Sequence, residues 1–161
     1  MTGRVFIDSN VVVYANDGRD PVKQRKAADL VAELMKNGTG VVSTQVLQEY
    51  ASVALTKLKQ DDATVLRVLR LLETMTVVQS TPLLVRRAVE LRRVYEIGFW
   101  DAGIIAAAEE ADCDSIVSED LNAGQYYGGI LAVDPFSPAR TPSTSKPTTP
   151  SAQTGMAARD G

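Results

Sequence analysis

The sequence reads RVFIDSN over residues 4–10, so a carboxylate follows directly after three apolar residues. A short apolar run that is closed by Asp, Ser and Asn is typical of a buried strand followed by a turn. Comparable runs recur at residues 41–43, 76–79, 115–118 and 131–133. The opening run therefore predicts a sheet whose first strand, residues 4–8, ends on an acid.

Helical patterns separate these strands. Apolar residues at helical spacing predict helices over residues 22–36, 44–58, 61–73, 82–97 and 101–111, with a short helical turn over residues 10–14. Thr81-Pro82 is a helix start signal, and Asn37-Gly38 is a stop signal. Strands that alternate with helices form parallel crossovers, so we predict a three-layer α/β/α sandwich with a central, mainly parallel sheet of about five strands.

Length and composition favour one domain. The 161 residues are 45% hydrophobic and 23% charged, as in an ordinary globular protein. We place the domain at residues 1–136 and predict a disordered tail over residues 137–161, which hold four of the seven prolines and no large aliphatic or aromatic residue. Because no apolar run approaches the roughly 18 residues of a membrane span, we expect a cytoplasmic protein without membrane association.

Histidine is absent from the chain, and Cys113 is its only cysteine. These facts exclude Ser-His-Asp triads, paired-histidine ribonuclease chemistry and zinc sites built from histidine or several cysteines. Any catalysis must therefore use carboxylates, hydroxyls, lysine or a metal. We expect Cys113 to serve packing.

Four acids stand at or near the ends of apolar segments: Asp8, Glu49, Asp101 and Asp120. Each has an ordinary alternative role, as a turn residue, a solvated helix residue, a helix cap or a loop acid. Ligands of parallel sheets bind beyond the carboxyl ends of the strands, so Asp8 and Asp120 should share one sheet edge. Converging carboxylates would repel one another and raise their pKa values, and a hard cation such as Mg²⁺ or Mn²⁺ would neutralise them.

The segments that carry these acids resemble the PIN-domain family of Mg²⁺-dependent ribonucleases, which includes the VapC toxins. The matching segments are FIDSN at residues 6–10, STQVLQE at 43–49, FWDA at 99–102 and SEDL at 118–121. They occur in the family's order, and the PF pair at residues 135–136 resembles the end of its domain. The resemblance covers residues 4–136.

The resemblance implies a catalytic cluster of the four acids with Mg²⁺ or Mn²⁺ as cofactor. Asp8 and Asp101 match the principal metal ligands, whereas Glu49 and Asp120 match acids that bind directly or through water. Small polar side chains would orient these carboxylates, at the matching positions Ser9, Asn10 and Ser118.

The resemblance also implies function and partners. It predicts a toxin endoribonuclease that cleaves RNA by metal-activated water, forms a homodimer and is neutralised by a cognate antitoxin protein. A PIN-like module that binds RNA or a partner without cutting remains an alternative. An aspartate-based phosphoryl-transfer domain is disfavoured, since Asp8-Ser9-Asn10 lacks the Asp-x-Asp pattern and no lysine follows the last strand.

Charged residues near these motifs need separate interpretation. Glu119 neighbours Asp120, but side chains alternate along an extended segment, so we expect Glu119 to point away from the cluster. Cations are concentrated at residues 23–26 and 86–93 of two predicted helices. We interpret them as solvated helix surfaces.

Overall fold

The computed structural model of the chain describes residues 3–138 and contains one six-stranded sheet. Its strands are β1 (Val5–Ile7), β2 (Gly40–Ser43), β3 (Thr76–Val78), β4 (Ser115–Val117), β5 (Tyr126–Tyr127) and β6 (Ile130–Val133). All five predicted strands are present. The predicted tail over residues 137–161 lies, beyond residue 138, outside the described residues.

The strand order is β3-β2-β1-β4-β6-β5. Every neighbouring pair is parallel except β5 and β6, which form an antiparallel hairpin. The predicted α/β fold with a mainly parallel sheet is therefore confirmed, with one additional strand. We missed β5 because it has two residues, although Gly128-Gly129 between β5 and β6 is a hairpin turn signal.

Within residues 3–138, six helices flank the sheet: α1 (Ser9–Ala15), α2 (Pro21–Asn37), α3 (Thr44–Thr56), α4 (Asp62–Leu72), α5 (Pro82–Tyr95) and α6 (Phe99–Glu110). Local sequence signals set most of their ends. Thr81 caps α5 ahead of Pro82, and Gly38 ends α2 in the left-handed conformation with φ of 68°. Helix α6 begins at Phe99 rather than Asp101, so Asp101 lies in its first turn and is not its cap.

The direction of chain winding reverses beside β1. The chain moves from β1 through β2 to β3 and then crosses back to β4 on the other side of β1. Right-handed crossovers in the two directions place their helices on opposite faces of the sheet. The carboxyl ends of β1 and β4 thus border a topological switch point, where α/β folds bind their ligands.

Helix α6 forms the centre of one layer. Residues 102–108 are all buried, as expected of a helix that is apolar on every side. The helix contacts β2, β4 and β6 on the sheet, and α5 covers it. Cys113 just beyond it is also buried, and desolvation raises the pKa of its thiol to about 12, in keeping with packing.

Among residues 3–138, no helix is both long and apolar enough to cross a membrane.

We expect Ile105→Ala in α6 to lower the free energy of unfolding by about 2–5 kcal/mol, because the side chain is fully buried and its loss leaves a cavity. Urea denaturation would measure the change. Leu83→Ala on α5, where the side chain is 63% exposed, is the control and should change stability by less than about 0.5 kcal/mol. Equal effects of the two substitutions would contradict the central position of α6.

Candidate functional site

Asp8 lies at the centre of the candidate site. Its main chain extends β1 by donating to the carbonyl of Val117 in β4 at 3.1 Å, and its side chain caps α1 by accepting from the Ser9 amide at 2.7 Å. The Ser118 hydroxyl donates to the other carboxylate oxygen at 2.7 Å. Asp8 is only 4% exposed, so the first strand delivers a carboxylate into the interior.

Small polar side chains connect Asp8 with two more of the predicted acids. The Ser9 hydroxyl bonds to Glu49 and lies 3.4 Å from Oδ1 of Asp8. Nδ2 of Asn10 contacts Oδ2 of Asp120 at 3.1 Å and Oδ2 of Asp8 at 3.4 Å. The structure thus brings together acids that follow β1, lie within α3 and follow β4.

Asp101 joins the group electrostatically. Its pKa is raised, chiefly because it is partly buried and next because the charges of Asp120 and Glu49 repel its own. Asp101 in the first turn of α6 therefore lies near enough to Asp120 and Glu49 for their charges to act on it. Hydrogen bonds through Ser9 and Asn10 link the other three acids, and the roles of all four as metal ligands stay a prediction.

Burial dominates the electrostatics of Asp8 and raises the pKa of its carboxyl to about 6. Hydrogen bonds from Ser118 and Ser9 oppose the shift, and the nearby charges of Glu49 and Asp120 add to it. Within residues 3–138, no lysine or arginine forms an ion pair with any of the four acids. Their negative charge is therefore not balanced by ion pairs within the described residues.

The donor set fits a hard divalent cation, because it consists of carboxylate oxygens and carries uncompensated charge. In the described part of the chain, however, no three acidic residues stand in a group that is ready to hold an ion. Ser9, Asn10 and Ser118 donate hydrogen bonds to oxygens of these acids. Because each carboxylate oxygen has two lone pairs, these hydrogen bonds leave positions at which a cation can bind.

Gln45 is a site residue that we did not identify from the sequence. Its Nε2 donates to Oε1 of Glu49 at 2.8 Å and to the carbonyl oxygen of Trp100 at 3.0 Å. A Cβ on Gly103 would stand 2.5 Å from the Gln45 side-chain oxygen, so the glycine makes room for this amide beside α6. The spacing of four residues between Gln45 and Glu49 on one helix was the available signal.

Glu119 points away from the cluster, as the alternation predicts, and forms an ion pair with Lys23 of α2. The ammonium group of Lys23 also lies 4.4 Å from the ring centroid of Tyr14 and 5.1 Å from that of Phe136. Hydrogen bonds from Lys23 to Glu119 and to the hydroxyl of Tyr14 raise the pKa of the lysine. Lys23 is thus not a freely solvated cation. Its ion pair with Glu119 connects α2 to the segment that carries Asp120.

The predicted basic surface on α5 is also partly engaged. Arg87 contacts Glu90 on the same helix at 2.9 Å and Glu109 of α6 at 2.8 Å. These two ion pairs neutralise part of the positive charge that the sequence places on this helix.

The PIN domain family model matches residues 5–128 of the chain. The chain therefore belongs to the PIN domain family, which confirms the predicted resemblance. No curated protein matches it.

Several solved structures share the fold. VapC20 of Mycobacterium tuberculosis, described as a sarcin-ricin loop cleaving toxin, has a TM-score of 0.60 and 22% identity, covering 72% of this chain and 89% of that one. A toxin-antitoxin complex from Klebsiella pneumoniae has a TM-score of 0.62 and 20% identity, covering 82% and 98% of the two chains. VapBC2 from Rickettsia felis, bound to a DNA fragment from its promoter, has a TM-score of 0.54 and 22% identity, covering 72% and 87%.

We expect Asp8→Asn to stabilise the metal-free protein by about 1–2 kcal/mol near neutral pH. Burial raises the pKa of Asp8 to about 6 from an ordinary value of 3.8. The free energy of unfolding therefore falls by up to about 3 kcal/mol as the pH rises from below 3.8 to above about 6. Asparagine removes this charge and still caps α1, but it mispairs with the hydroxyl of Ser118.

Urea unfolding in chelator should therefore show the gain near pH 7.5 and little or none near pH 4.5, where the folded carboxyl is protonated. Asp29→Asn on the exposed side of α2 is the matched control and should be neutral at both pH values. A loss of stability in Asp8→Asn near pH 7.5 would contradict the electrostatic cost assigned to this carboxylate.

Proposed function

We propose that this protein is a metal-dependent endoribonuclease and the toxin of a toxin-antitoxin pair. The observation that carries the proposal is the convergence of four carboxylates, without a basic partner in the described residues, at the switch point of a PIN-domain sheet. Membership in the family and the likeness to a sarcin-ricin loop cleaving toxin support RNA as the substrate class.

Mg²⁺ or Mn²⁺ would be held by Asp8 and Asp101, with Glu49 and Asp120 binding directly or through water. When bound, such a cation supplies a water of lowered pKa as nucleophile and neutralises charge on the phosphate. Because the chain has no histidine, proton acceptance falls to carboxylates of the cluster.

The small polar residues of the site have a positioning role. Ser118 and the amide of Ser9 fix the two oxygens of Asp8, and Asn10 holds Asp120. Neutral donors of this kind orient carboxylates without cancelling the charge that attracts a cation.

Protein partners are part of the proposal. The similarity to a toxin-antitoxin complex supports a cognate antitoxin as partner of this cytoplasmic enzyme. Helix α5 exposes Val85 and Val89, which lie four residues apart on one face of the helix, and exposed apolar surface of this kind supports a protein contact such as a homodimer.

Purified protein should cleave RNA in Mg²⁺ or Mn²⁺ and lose the activity in excess chelator. Asp8→Asn and Asp101→Asn should each lower the rate by about 100-fold or more, since each removes a proposed ligand whose charge stabilisation is worth several kcal/mol. Asp29→Asn, an exposed acid on α2, should retain the wild-type rate. Fragment gels with labelled RNA would measure all three.

Cleavage that persists in chelator, or that both site variants retain, would refute the proposal. Cation binding without cleavage would favour the alternative of a PIN-like module that binds RNA or a partner without cutting. The lack of a ready-made group of three acids in the described residues is the observation that favours this alternative.

Ser118→Ala should weaken Mn²⁺ binding by about 10- to 100-fold, because Asp8 would lose the hydroxyl that orients it. Calorimetric titration would measure the affinity. Ser80→Ala, at an exposed position between β3 and α5, is the control. Unchanged affinity in Ser118→Ala would contradict the positioning role.

A further inference from the structure

Trp100 is the only tryptophan of the chain, and it is 66% exposed. It lies one residue before Asp101 in the first turn of α6, the helix whose residues 102–108 are all buried. Tryptophan is on average a largely buried residue, because its rings have much to gain from leaving water. An exposed indole beside the acid cluster therefore calls for a functional reason.

The main chain at Trp100 is held firmly against the site. The carbonyl of Trp100 accepts from Gln45, and the same amide group of Gln45 donates to Glu49. The ring of Phe99 packs edge-on against the indole at a centroid distance of 5.2 Å. The side chain of Trp100 is thus exposed while its main chain is held in place and linked through Gln45 to Glu49.

A cleft of about 300 Å³ lies beside the indole, lined by Gln45, Gln48, Glu49, Ser52 and Trp100. Its volume is at the lower end of the range for small-ligand sites. Both amide protons of Gln45 are used within the protein. The side-chain donors that can bond to an occupant are therefore Gln48, Ser52 and the indole N–H of Trp100, and the Glu49 carboxylate can accept. Glu49 lines the cleft and belongs to the acid cluster, so an occupant of the cleft would adjoin the reacting centre.

We propose that this cleft is a nucleobase subsite, in which a base of single-stranded RNA stacks on the indole of Trp100 while the adjoining phosphate reaches the acids. The subsite rests on the proposed ribonuclease function. The surface that lines the cleft is mainly apolar, which suits stacking of a flat base, and its amide and hydroxyl groups suit the polar edges of the base. A face that docks a protein would instead need an apolar patch broader than this small cleft and its one indole.

Because Trp100 is the only tryptophan, its fluorescence reports on this subsite alone. The Asp8→Asn protein, which should bind without cutting, would be titrated with a 5′-labelled, mixed-sequence, single-stranded RNA oligonucleotide. Fluorescence of Trp100 and anisotropy of the labelled RNA would be recorded together. The expected result is that both signals change over the same RNA concentrations, and that an RNA duplex leaves the indole signal unchanged.

Substitution at Trp100 provides the second arm. Trp100→Leu keeps an apolar side chain but loses the stacking face, so RNA affinity in the Asp8→Asn background should fall by about 5- to 150-fold. Trp100→Phe should retain most of the affinity. Val94→Ala, at an equally exposed apolar position on α5, is the control and should bind as well as the parent.

The outcomes separate the two proposals. RNA cleavage by the wild type together with equal RNA binding by Trp100→Leu would overturn the subsite and leave the ribonuclease function standing. Absence of both cleavage and binding would overturn the function and the subsite with it. An indole signal that changes with protein concentration in the absence of RNA would place Trp100 in a contact between two copies and would also overturn the subsite.

Discussion

The buried carboxylate of Asp8 is the constraint on which the rest of the site depends. It ends the central strand, begins α1 and bonds through its main chain to β4, so its position is fixed by three elements of the fold. Its charge is opposed by burial and stabilised only in part by neutral donors such as Ser118. The charged form of Asp8 is therefore unfavourable in the folded protein, and it lies at the sheet edge where α/β folds bind ligands.

The topology converts this local constraint into a common site. Since β1 and β4 are adjacent, the segments after them meet, and Asn10 can reach Asp120. Packing of α6 on the sheet brings Asp101 near these segments. Gly103 leaves room for α3 to lie close to α6, so that Gln45 bonds both to Glu49 and to the start of α6. A site whose residues lie on helices and at strand ends is held more firmly than one built on loops.

Residues at strand ends could be predicted from the sequence, whereas residues on helices could not. Asp8 and Asp120 follow apolar runs, and parallel strands bring such positions to one edge. Glu49 and Asp101 lie within helices, so only family resemblance linked them to the site. The alternation of extended chain predicted the direction of Glu119, but its partner Lys23 belongs to α2, and no local pattern indicates a contact between elements so distant in the chain.

The sequence by itself determined the order of strands and helices and the signals that begin and end them. Its lack of histidine also limited any catalysis to carboxylates, hydroxyls, lysine or a metal. These properties depend on residue type and local spacing. Only the tertiary structure decided that neutral donors link three of the acids and that Gln45 holds Glu49 beside an exposed Trp100. Such contacts join distant segments, and their geometry arises from the packing of α3 and α6 on the sheet rather than from any periodicity within them.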